Sequence, residues 1–253
     1  AAEDVGYGAS HAYNLGTSIP VLGGALTLVN LNPLNLSAGV APQPYGYSQS
    51  VFDFGISPLL SGPDYRLALS TAVLRSGVDS DVDGGEGARG TGAWTRTDGL
   101  SFSLEQFFIH TLLGIDASVL SSTARISGQP GKFVASGDTQ LLGTTIDSMY
   151  MISPFTIDTD NIMANWTILD QAGLTVTLNR QLSTCNDVFC DMSVDAIHVG
   201  FNNYRLDDFN FLNGELAFGH SYAVQAVPEA STYGMMLAGL GLVGFMARRR
   251  TSA

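Results

Sequence analysis

The 253-residue sequence predicts an all-β fold: an antiparallel β-sandwich of jelly-roll type, followed by a single C-terminal transmembrane helix. Three observations predict it. Apolar and polar residues alternate with a period of two in segment after segment, as in strands with one buried and one wet face. Glycine is abundant (29 residues) and charge is scarce (13%), which suits strands joined by tight turns. No stretch before the tail combines helix caps with a helical period.

Taken in order, "GALTLVNL" and "SVFDFGIS" read as strands. Between them, "NLNPLNLSAGVAPQPYGYSQ" holds three prolines and reads as a long loop or edge segment. "DYRLALSTAVLR" is a strand, and "RSGVDSDVDGGEGARGTG" reads as a polar loop. In "LSFSLEQFF", Leu100, Phe102 and Leu104 share a face, with serines between. "SLEQFFIHTLLGIDASVL" accommodates either a helix or a long strand. "STARIS", "TQLLGTTIDSMYMI" and "NWTILD" follow as strands, set off by the turns "SGQPGK" and "DQAG". "GLTVTLNRQL" puts Leu174, Val176 and Leu178 on one side, and "CDMSVDAIHVG" sets Met192 and Val194 against Ser193 and Asp195. "FGHSYAVQ" places Phe218, His220, Tyr222 and Val224 together. Residues 1–227 are thus expected to form one exported sandwich domain, with 228–253 as a separate tail.

The net charge is −12, and taking away Arg248, Arg249, Arg250 and Glu229 of the tail leaves the body at −14. Such a body repels phosphate backbones, which excludes nucleic acid as a partner, and it suits cations such as calcium. The opening "AAEDVGYGAS" has no start methionine, basic region or apolar run, so a removed signal peptide is expected. Cys185 and Cys190 bracket "NDVF" between two strand patterns. A disulfide there would close a hairpin and contribute about 2 kcal/mol through loop entropy.

Asp79, Asp81 and Asp83 alternate before Gly84, and Glu86 follows. Alternating carboxylates on a tight turn can converge on calcium. A full EF-hand match fails, because Gly90 stands where a bidentate Glu is needed. "GHSYA" is close to a nucleophile elbow but alternates like a strand, with no histidine after His220. The four histidines, His11, His110, His198 and His220, show no ligand spacing. Asp207 and Asp208 are neighbours, which on a strand point to opposite faces and make a poor acid/base pair. Trp94, Tyr45 and Tyr47 lie in turn-rich or Pro-rich contexts where aromatics can stack on sugars. Trp166 is expected in the core.

From Ala230 to Ala247 the tail has no charge. Those residues as a helix cover roughly 27 Å, close to the thickness of a bilayer core. Arg248, Arg249 and Arg250 then act as a stop that keeps the C-terminus cytoplasmic. With Pro228 and Glu229 at its head, "VPEASTYGMMLAGLGLVGFMARRR" resembles the PEP-CTERM sorting signal of Gram-negative bacteria. Ala230 stands where the motif usually has a second proline. The resemblance implies export, an inner-membrane intermediate held by the tail, recognition by an exosortase-type processing enzyme, and delivery to the cell surface or matrix. It also implies an association with exopolysaccharide and biofilm. The expected function is a non-enzymatic surface protein contributing to matrix, biofilm or adhesion. A secreted polysaccharide-active hydrolase and a self-assembling filament or surface-layer subunit are the alternatives.

Overall fold

A computed structural model describes residues 5–18, 21–22, 27–28, 33–61, 65–85, 87–106, 110–206 and 211–227. They form fourteen strands in two antiparallel sheets. In chain order these are β1 (Tyr7–Ser18), β2 (Val21–Leu22), β3 (Thr27–Leu28), β4 (Ser37–Val40), β5 (Tyr45–Ser61), β6 (Tyr65–Ser80) and β7 (Arg89–Gln106). They continue as β8 (His110–Gln129), β9 (Lys132–Asp147), β10 (Phe155–Thr159), β11 (Trp166–Gln171), β12 (Leu174–Cys185), β13 (Phe189–Arg205) and β14 (Phe211–Ala226). The first sheet runs β11-β12-β13-β14-β1-β4, with β2 beside the start of β14. The second runs β10-β9-β8-β7-β6-β5-β3.

The all-β expectation holds, but the jelly-roll topology does not describe this order. A jelly roll needs two Greek keys. Here successive strands are neighbours from β5 to β10 and again from β11 to β14, so the sheets are meanders. Tight turns are the cause. Gln129 pairs with Lys132 around Pro130–Gly131, and Gln171 with Leu174 around Ala172–Gly173. Ala172 (φ 52°) and Gly173 (φ 82°) both take the left-handed conformation of a two-residue hairpin turn, which leaves the next strand nowhere to go but alongside.

Two stretches expected as loop or edge are partly strand. The Pro-rich stretch contains β4, which does form the edge of the first sheet, and the start of β5. β6 up to Ser80 and β7 from Arg89 take both ends of the polar stretch and leave residues 81–85 and 87–88 as its loop. The ambiguous segment 103–120 falls in β7 and β8, with residues 107–109 outside the described set. The expected transmembrane helix, Ala230–Ala247, also lies outside the described residues.

Both sheets share a break at one level. Along β5–β9 the register skips Asp53, Ala72, Gly99, Ser118 and Gly143, and along β12, β13, β14 and β1 it skips Asn179, Ala196, Gly219 and Asn14. Every second strand there carries a left-handed residue: Asp53 (φ 51°), Gly99 (φ 66°), Gly143 (φ 54°), Asn179 (φ 47°) and Gly219 (φ 66°). Each break shifts the inward-facing set by one residue, while the pairing register is the same on either side, so no residue is inserted as in a β-bulge. In β14, Leu216 and Phe218 face in before the break, and Ser221, Ala223 and Gln225 face in after it.

This belt also divides the interior. On one side lies the large apolar core. It includes Leu67, Phe102 and Ile115 from one sheet and Val176, Val199 and Phe218 from the other, with Phe102 edge-on to Phe218 at 5.2 Å. On the other side the sheets meet through a smaller apolar cluster, which includes Ile126, Met192 and Val194, and through buried hydroxyls. Ser122 Oγ bonds Thr95 Oγ1 (2.9 Å) and Ser221 Oγ (2.7 Å), and Gln225 Nε2 donates to Thr91 Oγ1 (3.1 Å). Buried hydroxyls cost free energy unless paired, so this half is specified by hydrogen bonds as much as by apolar contact.

Candidate functional site

The residues singled out in the sequence do not gather in one place. Asp79 lies on the outer face of β6, 3.7 Å from Arg125. Asp81 accepts the Gly90 amide proton across the loop. Asp83 accepts from the Gly85 amide (2.9 Å) and from Arg89 Nε (2.8 Å), and these donors hold its carboxyl below the usual carboxylate range. Glu86 lies outside the described residues. Each described carboxylate is thus turned to its own partner, and among the described residues no group of three His, Cys, Asp or Glu side chains could hold a metal ion. Ser221 of "GHSYA" points between the sheets to Ser122, which is the wrong side for an exposed nucleophile. Asp207 and Asp208 lie outside the described residues. Tyr45 donates to or accepts from Ser10 Oγ at 2.7 Å, Tyr47 is exposed, and Trp166 packs edge-on against Phe155 at the margin of the core.

Three of the four histidines, seemingly scattered in sequence, meet on the outer face of the first sheet. "HAY" (11–13) on β1 and "HSY" (220–222) on β14 are antiparallel neighbours, so His11 pairs with Tyr222 and Tyr13 with His220. Their rings form a continuous column: Tyr222–His11 at 4.9 Å, His11–His220 at 5.3 Å and His220–Tyr13 at 4.5 Å. The same cross-strand row continues through Asp195 on β13 to Arg180 on β12. His220 Nδ1–H donates to Asp195 Oδ1 (2.6 Å), and Arg180 reaches Asp195 Oδ2 (3.2 Å). His198 Nε2–H donates to Glu215 Oε2 (2.8 Å), and Arg180 also lies 4.0 Å from Glu215.

Two histidine–carboxylate pairs are therefore bridged by one arginine, beside a cleft of about 120 Å³ bordered by Tyr13, Gly16, Pro33 and Glu215. The Asp195 side chain is only 5% exposed although it lies on an outer face, because its neighbours cover it. Burial, and then the His220 charge, pull the His11 pKa down to about 4. Burial and the carboxylates of Asp195 and Glu215 push Tyr13 up to about 12. The signal for this cluster was available as the repeated His-x-Tyr spacing, but the alternation phase hid it. His220 and Tyr222 do not share the face of Phe218, as the simple period predicts, because Gly219 breaks the phase between them.

On the outer face of the second sheet, Trp94 of β7 stands between Gly77 of β6 and Thr123 of β8. Its indole fills the space above Gly77: a Cβ there would sit 2.5 Å from Cε2.

At the belt's hydroxyl-rich end, Cys185 and Cys190 form the expected disulfide across β12 and β13. Asn186 Oδ1 shapes the turn by accepting from the amides of Val188 (2.9 Å) and Phe189 (2.8 Å). The Val227 amide donates to Val188 O (2.8 Å), so the last described residue is tied to this turn. From Pro228 onward, including Glu229, Arg248, Arg249 and Arg250, the chain lies outside the described residues. Residues 226–250 match the PEP-CTERM protein-sorting motif.

The tail carries a PEP-CTERM sorting signal. The signal marks an exported protein sorted to the cell surface, and it implies processing by an exosortase in general. The match begins at the last residue of β14, so the signal follows directly on the central strand of the first sheet. No curated protein and no solved structure matches the chain.

Proposed function

We propose that the protein is a non-enzymatic surface protein whose sandwich body is presented outside the cell, where it contributes to the extracellular matrix and to adhesion. One observation carries this reading: the sorting signal is continuous with β14, which is held on both sides by β13 and β1. Whatever retains the tail therefore retains the whole body, with no spacer between them.

The test compares cells producing the full chain with cells producing a chain that ends at Val227. The full chain should raise cell aggregation and the amount of polysaccharide retained on cells, and the shortened one should not. Equal aggregation and retention in the two strains would overturn the matrix role.

A second reading, hydrolysis of polysaccharide, draws on the paired carboxylates and histidines beside the cleft. It expects Glu215→Gln and Asp195→Asn to abolish release of reducing ends from a secreted glycan. Full activity in both variants would refute it.

A further inference from the structure

We propose that the outer face of the second sheet around Trp94 binds an uncharged hexopyranose chain. Trp94 sits near the middle of this face, and the space its indole occupies is available only because residue 77 has no side chain. The indole atoms nearest the place of a Gly77 side chain are Cε2, Nε1 and Cζ2, and Trp94 is only half-buried, so part of its surface stays open on this outer face. An aromatic surface presented in this way matches the flat C–H face of a pyranose.

The groups around the indole are those that hydrogen-bond sugar hydroxyls. One row along the strands, Arg75 pairs with Arg96 and Arg96 with Ser121, and in the row on the other side are Asp79 and Arg125. Two arginines directly opposite each other repel. Asp98 relieves this by reaching Arg96 Nε at 2.9 Å and Arg75 at 3.4 Å. The ion pairs hold planar donors and acceptors at fixed positions on both sides of the ring. Successive rows on one face lie about 6.8 Å apart, so a sugar ring stacked on Trp94 has its hydroxyls within reach of both.

Charge selects the class of glycan. The three arginines are balanced by Asp79, Asp98 and, at the end of the Trp94 row, Asp138, while the body as a whole is at −14 once the tail charges are removed from −12. An acidic polysaccharide gains no net attraction on this face and is repelled by the rest of the body. A neutral chain meets neither penalty.

The proposal deepens the matrix reading and rests on it only for the place where the glycan is met. Its test is a binding measurement on purified protein, so it fails independently of sorting. The full chain in detergent is titrated with neutral cello-, manno- and galacto-oligosaccharides and with oligogalacturonate, following tryptophan emission. Neutral oligosaccharides should shift the emission to the blue with saturation in the micromolar to millimolar range. Trp94→Ala should weaken binding at least tenfold. Thr123→Arg, which lays a long side chain beside the indole from β8 and leaves Gly77 unchanged, should do the same with an unchanged melting temperature. The proposal is overturned if no neutral oligosaccharide binds at millimolar concentration, if binding survives in Thr123→Arg, or if oligogalacturonate is preferred.

Discussion

His11 shows how a single side chain on an outer face comes to matter for stability. Its ring is stacked between Tyr222 and His220, so its protonated form is poorly solvated and lies next to another imidazole. Its pKa is about 4 in the fold and near 6.5 in the unfolded chain. Between those values the unfolded chain holds the extra proton, so stability falls as pH drops from about 6.5 towards 4 and is fully present above that window. The melting temperature should therefore rise across this range. His11→Asn should flatten the part of the rise that a carboxylate titration leaves unexplained, and an identical slope in the variant would contradict the assignment. This residue was not found from the sequence, since one histidine in an alternating strand looks like any other. Its importance comes from a partner 209 positions away in the chain. Trp94 was singled out for a turn-rich context, yet it lies inside β7, and its place over Gly77 is a property of the register between β6 and β7.

At the scale of the elements, the strands were legible wherever the alternation ran unbroken. Leu174, Val176 and Leu178 face inward as their spacing predicts, and so do Leu100, Phe102 and Leu104. The reading failed at the belt, where one left-handed residue in every second strand shifts the phase. Gly219 is the clearest case, because φ is +66° and an added Cβ would lie 2.7 Å from Leu120 Cδ2. Gly219→Ala should cost about 2 kcal/mol or more, since strain and crowding act together. A loss below about 0.5 kcal/mol by denaturant titration, within the range of ordinary surface changes, would contradict this account of the belt.

The β12–β13 hairpin offers a second test at the same scale. Its disulfide closes a short loop, and Val227, the last described residue, is bonded to Val188 in that loop. Reduction should remove about 2 kcal/mol. That corresponds to a fall of roughly 4–8 °C in melting temperature for a chain of this size. An unchanged transition under reducing conditions would show that the turn is held by Asn186 and the strand ladder alone.

Across the whole molecule, the two meanders leave edges, and edges invite pairing with other chains. The outermost described strands are short: β4 has four residues, β10 five and β3 two, and β11 has six with a register shift inside it. β3 pairs with β5 only at Leu60 and Ser61, so among the described residues most of β5 is also an edge, interrupted at Asp53 (φ 51°). Short or interrupted edges are poor templates, so the body should run as a monomer in size-exclusion chromatography at micromolar concentration. Concentration-dependent filaments or larger closed species would instead support a self-assembling subunit. Composition gave the fold class and the tail gave the destination, because both depend on local residue types. The meander order, the split interior and the two decorated outer faces depend on pairings far apart in the chain, which local patterns do not specify.

The central claim is that the tail, joined without a spacer to β14, decides where the body resides. It is tested most directly by fractionating cells that produce the full chain or the chain ending at Val227. The cut must fall after Val227, because Gln225 is fully buried and bonded to Thr91, and the Val227 amide closes the turn at Val188. The full chain should appear in the envelope and surface fractions, open to added protease on intact cells, and the shortened chain should appear in the medium. The same distribution of the two chains would contradict the account.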